Sequence, residues 1–264
     1  MRDFLISVII PTRNSSRTIE KCLQSIKDQS YENIELIVVD NNSTDNTKDI
    51  ANRFTDKVFN FGPERSYQRN FGVDKASGEY VLVHDSDIYF NRDSIKECVE
   101  IFEKENCDAI ILPEKSIGVG FWAKVKSFER SFYVGNDYIE AARFFKKDVY
   151  KKIGGYDEEM YAGEDWDLTI RLRESGYKIS RAKIFVEHDE GVVNLFGSAK
   201  KKKYYAENLF NVYAKKHPDY FKIQMNFFSR FPIKKLLLEF LKHPILTFCM
   251  FLMKGMELIN SIIK

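Results

Sequence analysis

The stretch EYVLVHDSD, Glu79–Asp87, decides the fold. Val81, Leu82 and Val83 form an uninterrupted apolar run, the pattern of a strand buried on both faces in a parallel sheet. The run ends in two carboxylates, Asp85 and Asp87, with Ser86 between them. Open α/β sheets bind ligands beyond the carboxyl ends of their strands, so the acids fall where a ligand is expected. Oxygen donors suit Mg²⁺ or Mn²⁺, ions that tend to complete their shell with substrate phosphates. The guest this predicts is a nucleoside diphosphate. The competing reading is a solvated acidic turn after a strand.

Upstream, Ile6–Thr12 (ISVIIPT) and Ile34–Asp40 (IELIVVD) are further short β-branched runs. Between them Ile19, Cys22, Leu23 and Ile26 recur at helical spacing after a candidate cap at Ser15 or Ser16, which makes a βαβ unit. A short strand at Val58–Phe61, a helix from Ser66 to Lys75 and a helix marked by Ile95, Cys98, Val99 and Phe102 continue the alternation, with a strand at Ala109–Leu112. The first half therefore reads as a doubly wound nucleotide-binding unit. Beyond it come a Gly154-Gly155-Tyr156-Asp157 turn, a helix over Glu164–Gly176 and a strand over Lys178–Glu187.

With 264 residues, 44% of them hydrophobic, the chain can bury a substantial core. Its net charge of +2 conceals an asymmetry. Residues 200–264 carry 13 Lys/Arg against 4 Asp/Glu, a balance of +9, while the rest of the 41 basic and 39 acidic residues leave residues 1–199 at −7. Two regions follow: a catalytic domain over 1–199 and a basic, apolar helical extension over 200–264. Within the extension Pro244–Met253 is the longest uncharged run, ten residues, against about 20 for a bilayer span. Helices lying in the interfacial plane of an anionic membrane fit better, with Lys234, Lys235, Lys242 and Lys254 reaching headgroups. Packing of the same apolar residues on the catalytic domain is the alternative. Lys200–Lys203, followed by Tyr204 and Tyr205, is a further candidate contact for a lipid-linked pyrophosphate or headgroups. Cys22, Cys98, Cys107 and Cys249 form no C-x-x-C pair, and no export signal precedes the first strand, so the expected location is cytoplasmic, peripheral at the inner face of the cell membrane.

Asp40 ends the second strand and opens the polar loop Asn41-Asn42-Ser43-Thr44-Asp45. A dinucleotide-binding fold would need G-x-G-x-x-G after the first strand, but that loop reads Pro11-Thr12-Arg13-Asn14-Ser15-Ser16 and has no glycine. The same geometry still suits a uracil or guanine ring held near Thr12 and by Asp40; a turn acid is the plainer reading of Asp40. Arg65 and Arg69 lie four apart on one helix face, either aimed at a diphosphate or forming surface ion pairs.

Taken together, PTRN at 11–14, VVDNNSTD at 38–45, QRNFGVDKASGEYVLVHDSD at 68–87, IGGYDEE at 153–159 and EDWDLTIRLRESGYKI at 164–179 resemble the family 2 glycosyltransferases of the GT-A fold, over about residues 5–190. The resemblance implies an α/β fold of GT-A type, a Rossmann-like nucleotide-binding mixed sheet flanked by helices, and a nucleotide-sugar donor. It implies that Pro11, Thr12, Asn14 and Asp40 contact the nucleoside, that Arg69 lies near it or its phosphates, and that Asp85 and Ser86 lie beside the sugar-nucleotide. Asp87 then ligates Mn²⁺ or Mg²⁺ in this DXD motif, with His188 as a further metal or pyrophosphate contact, and Asp165 is the catalytic base.

These residue types suit that chemistry. Inverting transfer needs an acceptor hydroxyl deprotonated as it attacks, which calls for one carboxylate on the acceptor side, and a stabilised leaving diphosphate. The expected enzyme moves a sugar, most readily UDP-linked, to a hydroxyl of a glycan or lipid-linked acceptor. The runner-up acceptor is polyprenyl phosphate, already ionised. A sugar-1-phosphate nucleotidyltransferase would want a Gly- and Arg-rich phosphate loop where PTRNSS stands. A non-catalytic scaffold would have no need of Asp40, Asp85, Asp87 and Asp165 together. Nucleic-acid binding is the weakest rival, since no base-reading module is recognisable. Tyr156, Trp166 and Lys115–Gly120 are candidates for an acceptor platform or lid, with core packing the alternative for the aromatic residues.

Overall fold

A computed structural model describes residues 3–195 and 199–262. Its strands are β1 (Ile6–Thr12), β2 (Ile34–Asp40), β3 (Val58–Asn60), β4 (Tyr80–Val83), β5 (Ile88–Tyr89), β6 (Ala109–Ile111), β7 (Glu114–Val119), β8 (Ala142–Lys146), β9 (Ile179–Arg181) and β10 (Val186–Val192). Contacts gather the chain into two units, Met1–Glu114 with Ala141–Glu187, and Lys115–Glu140 with His188–Lys264. The extension expected from residue 200 falls in the second unit.

The first unit is built on a seven-stranded mixed sheet of order β3-β2-β1-β4-β8-β6-β9. β1 is buried throughout and pairs in parallel with β2, from Ile6 opposite Ile34 to Thr12 opposite Asp40. β4 pairs in parallel with the other edge of β1, up to Val83 opposite Ile9. The chain thus runs outward from β1 to β3 and returns to the far side of β1. That reversal is the topological switch point of an open α/β sheet, and Thr12, Asp40 and Asp85–Asp87 all lie at or just beyond strand carboxyl ends there.

Helix α1 (Ile19–Lys27) buries Ile19, Cys22, Leu23 and Ile26, as their spacing predicts. No serine side chain caps it; Ser15 contributes its carbonyl, which accepts from the Ile19 amide at 2.9 Å. After α2 (Thr47–Asn52), α3 (Arg65–Lys75) crosses the sheet very closely. A Cβ on Gly72 would stand 2.4 Å from Ile9 Cγ2 and 3.2 Å from Val39 Cγ2. Gly72→Ala is therefore expected to cost about 1–3 kcal/mol, since the methyl must displace core side chains. Urea unfolding checks this, and unchanged stability would contradict so close a seating. Helix α4 (Ser94–Glu105) buries Ile95, Cys98, Val99 and Phe102, and all four cysteines are free thiols.

Three expectations change. Strand β8, absent from the sequence reading, enters antiparallel between β4 and β6, and both Phe144 and Phe145 are buried because this inner strand is covered on both faces. The single strand expected over Lys178–Glu187 is split into β9 and the start of β10. Most of the Lys115–Gly120 stretch, a candidate acceptor platform or lid, is strand β7.

In the second unit β7 and β10 approach closely: a Cβ on Gly118 would lie 2.6 Å from the Gly191 carbonyl. Helix α5 (Phe121–Ser131) shares a core with the C-terminal helices through Val125, Phe132, Phe231, Met250 and Met253. Buried Glu129 binds Lys126 at 2.7 Å and Lys254 at 2.6 Å, and accepts from the Tyr133 hydroxyl. Burial would raise its carboxyl, but Lys126 and Lys254 draw it down to about 2. This ion cluster fastens the Pro244–Ile262 helix to α5. Among the described residues no helix is long and apolar enough to cross a membrane. The Lys200–Lys203 run lies outside the residues whose side chains are described.

Candidate active site

The consecutive polar residues Gln68, Arg69 and Asn70 on α3 hold the site together, each through different elements. Gln68 is buried and donates through Nε2 to the carbonyls of Thr12 at 3.0 Å and Val39 at 2.6 Å, joining the ends of β1 and β2. Asn70 accepts from the Tyr156 amide at 2.9 Å and donates to the Tyr156 carbonyl at 2.9 Å. It thereby fixes the Gly-Gly turn, whose Gly154 and Gly155 adopt φ of 86° and 64° that only glycine takes readily.

Arg69 is the centre. Its side chain is 0% exposed, and its fork reaches three carboxylates: Asp85 Oδ1 at 2.7 Å, Glu164 Oε1 at 3.0 Å and Asp165 Oδ1 at 3.1 Å. The guanidinium lies over the Tyr156 ring, 4.8 Å from its centroid. Arg143, on β8, binds Asp165 Oδ1 at 2.6 Å, and Arg65 binds Glu164 Oε1 at 3.3 Å. Three guanidinium groups thus balance three carboxylates. Burial would push the Asp85 carboxyl up, but Arg69, then Arg143 and Arg65, hold it well below the usual carboxylate range. The Tyr156 hydroxyl is raised, first by burial and then by Asp165.

Arg65 and Arg69 share one face of α3, as their spacing predicts. Arg69, however, is committed to buried Glu164 and to partly buried Asp85 and Asp165 rather than standing open as a fork. Arg143 was not anticipated; the only signal was a cation beside Phe144-Phe145 in an apolar stretch. Tyr156 is a core residue beneath Arg69 rather than an open platform, while Trp166 is half-buried.

Removing Arg69 leaves Asp85, Glu164 and Asp165 without their shared buried cation. Arg69→Ala is expected to cost about 3–5 kcal/mol, the scale of breaking a buried ion pair, as read by urea unfolding. The sign with pH follows from Asp85. Its folded-state pKa is depressed, so its contribution is present above about pH 4, the unfolded carboxylate value, and fades as pH falls below that.

Asp165 sits in the first turn of α7 (Glu164–Glu174), the helix after α6 (Lys147–Lys152), where carboxylates are favoured by the helix dipole. Thr169 Oγ1 donates to the Asp165 carbonyl at 2.8 Å and accepts from the Ala142 amide at 3.0 Å, linking the start of α7 to β8. The base candidate and Arg143 are thus positioned together.

At the switch point, the loops after β1 and β2 are laced to each other. Asn14 Oδ1 accepts from the Thr44 amide at 2.8 Å, and the Asn14 amide donates to Ser43 Oγ at 2.8 Å. Asp40 is fully buried and accepts from the Ser43 amide at 2.8 Å and from the Ser43 hydroxyl, so it does serve its own turn. A carboxylate oxygen has a second lone pair, and an additional N–H remains compatible with it. Thr12 is buried, its carbonyl held by Gln68 and its Oγ1 without a hydrogen-bond partner among the described residues; Pro11 beside it is buried in β1. Ser86 Oγ donates to Ser15 Oγ at 2.9 Å, joining the D-S-D turn to the β1 loop.

That turn carries two acids, Asp85 and Asp87. Asp85 is bonded to Arg69, and Asp87 adds a second carboxylate, the hard oxygen type that Mg²⁺ or Mn²⁺ prefers. Burial first, then Asp87 and Asp85, raises the thiol of Cys22 on α1, as two nearby carboxylates would. Among the described residues no group of three or more His, Cys, Asp or Glu is placed as a protein-only cage. An ion completed by substrate phosphates needs none. His188, half-buried on β10, belongs to the second unit.

Residues 7–154 match the model of glycosyl transferase family 2, and residues 133–192 match one described as the N-terminal domain of galactosyltransferase. A relative, an uncharacterized glycosyltransferase of Rickettsia typhi, is 30% identical over 187 residues, covering 64% of this chain and 58% of its own length. This chain therefore spans little more than half of that relative. Among solved structures, Staphylococcus aureus TarS residues 1–349 in complex with UDP-GlcNAc superposes with a TM-score of 0.57 at 22% identity, covering 78% of this chain and 66% of that one. The Pyrobaculum calidifontis mannosyltransferase PcManGT, in complex with GDP-Man and Mn²⁺, gives 0.63 at 21% identity, covering 82% and 65%. The fold is thus that of the GT-A enzymes, and with the family model matching more than half of its length, the chain belongs to glycosyl transferase family 2.

Proposed function

We propose that this glycosyltransferase is an inverting, divalent-metal-dependent enzyme that moves a sugar from a nucleoside diphosphate sugar, UDP-linked by preference, to a hydroxyl of a glycan or lipid-linked acceptor. One observation carries the reading: Arg69 bonds at once to Asp85, at the end of β4, and to Asp165, at the start of α7. The donor-side strand end and the acceptor-side acid are thereby fixed against each other. Relatives of the same fold bind UDP-GlcNAc or GDP-Man with Mn²⁺, which supports a nucleotide-sugar donor and a divalent ion.

In this reading the Thr12 hydroxyl and Asp40 hold the base and Asn14 keeps their loops in place, while Asp85 and Ser86 border the sugar diphosphate. Asp87 is assigned to the metal; when bound, the ion would supply charge neutralisation for the departing diphosphate. Asp165 takes the proton of the acceptor hydroxyl as that oxygen attacks the anomeric carbon. The bond from the anomeric carbon to the diphosphate oxygen breaks on the opposite face, so configuration inverts in one step. Glu164 and Arg143 touch no reacting atom and act by holding Arg69 and Asp165.

A panel of nucleotide sugars, scored for nucleoside diphosphate release with Mn²⁺ and with chelator, tests the proposal. Metal-dependent release from at least one UDP-sugar is expected. Release from none of the panel, or release unaffected by chelator, would count against it.

A further inference from the structure

The Ile233–Lys242 helix of the second unit is turned inside out for a protein in water. Its inward side carries Lys235, whose Nζ donates to the Ser131 carbonyl at 2.6 Å and lies 5.3 Å from the Phe132 ring centroid, together with partly covered Glu239 and Leu236. Burial pulls the Lys235 ammonium down. Its outward side carries Ile233, Leu237 and Leu241, one stripe at successive i,i+4 positions, with Leu238 and Phe240 beside them, and Leu241 is 78% exposed. A helix on a water-facing surface does the reverse and buries its apolar stripe.

The next helix, Pro244–Ile262, extends the surface. It buries Thr247, Met250 and Met253 and leaves Ile245, Phe248 and Leu252 outward at i,i+3,i+7, with Ile245 69% and Phe248 67% exposed. A helix apolar on opposite sides needs an apolar medium on the side its own domain leaves bare. That medium is not the far side of a bilayer, because among the described residues no helix is long and apolar enough to cross one.

From this surface we infer that the two helices lie in the plane of an anionic membrane leaflet, with Ile233, Leu237, Leu241, Ile245, Phe248 and Leu252 sunk at the headgroup–acyl boundary. Charge selects this occupant. Exposed Lys234 sits among the outward leucines and exposed Lys242 ends the helix, where long aliphatic stems let ammonium groups reach anionic headgroups. A two-fold contact with a second copy would close lysines of the same sign into one apolar seam with no anionic partner among the described outward residues of these helices. The inference is independent of which sugar is transferred, or whether any is.

Flotation of the full chain with phosphatidylcholine vesicles, and with vesicles also containing phosphatidylglycerol, at low and high salt, tests it. The protein is expected to float with the anionic vesicles at low salt and to be partly released by high salt. Leu237→Asp with Phe248→Asp should weaken partitioning at least roughly tenfold, and Lys234→Gln with Lys242→Gln should remove most of the preference for anionic vesicles. All these side chains are exposed, so thermal unfolding of the variants should match the wild type. Two results would overturn the inference: wild-type protein left at the bottom with anionic vesicles at low salt, or a concentration-dependent dimer dissolved by Leu237→Asp/Phe248→Asp while vesicle binding is unchanged.

Discussion

Replacing Asp87 by alanine is expected to reduce sugar transfer at least roughly a thousandfold while leaving the fold intact, since the ion it is assigned supplies several kcal/mol to the departing diphosphate. The expectation rests on the D-S-D turn. Asp85 is bonded to Arg69 at 2.7 Å, and the metal is assigned to Asp87, the second carboxylate of the turn. Turnover measured with saturating donor and Mn²⁺, beside a urea unfolding curve, separates lost chemistry from lost structure. An Asp87→Ala protein that is fully active would remove the turn from the mechanism.

The second large effect concerns the acceptor side. Asp165→Asn should keep donor affinity close to wild type and cut kcat at least roughly a hundredfold, the scale of one general base. Asparagine preserves the shape and leaves an oxygen for Arg69 and Arg143, but it cannot take a proton. The split between kcat and donor affinity is therefore the informative quantity. Turnover that survives in Asp165→Asn would indicate an acceptor already ionised, such as a polyprenyl phosphate, and would shift the assignment of acceptor class without touching the donor site. A loss of donor binding equal to the loss of turnover would instead mean that Asp165 acts through Arg69 and Asp85.

Much of this site was legible in the sequence because it depends on local pattern. The short runs ending at Thr12 and Asp40, and the one running into Asp85, announce strands whose carboxyl ends carry polar loops, and β1, β2 and β4 are found at those places. The acid pair opening α7 was equally plain after the Gly-Gly turn. What could not be read is pairing over distance. Residues 69 and 165 are 96 apart, and nothing in the composition of either stretch says that one guanidinium serves both Asp85 and Asp165. Residues 142–146, ARFFK, lack the length and alternation of an evident strand, so the insertion of β8 between β4 and β6, and with it the placing of Arg143, came only from the fold. The second unit was hidden for the same reason: Lys115–Glu140 joins residues beyond His188, and the contact of Glu129 with Lys254 is not a local signal. Conversely, an apolar stripe such as Ile233, Leu237 and Leu241 shows its period in sequence but not which way it faces. On periodicity alone it would be assigned to the core, whereas these side chains are exposed.

Calorimetric titration of the wild-type protein with UDP, in Mn²⁺ and again in chelator, bears most directly on the central assignment of the β1–β4 switch point as a metal-assisted nucleoside diphosphate site. Saturable binding with one UDP per chain is expected in Mn²⁺, weakened at least roughly tenfold when the ion is removed, because the diphosphate then loses its neutralising cation. Absence of UDP binding in Mn²⁺, or equal affinity with and without the ion, would contradict the assignment.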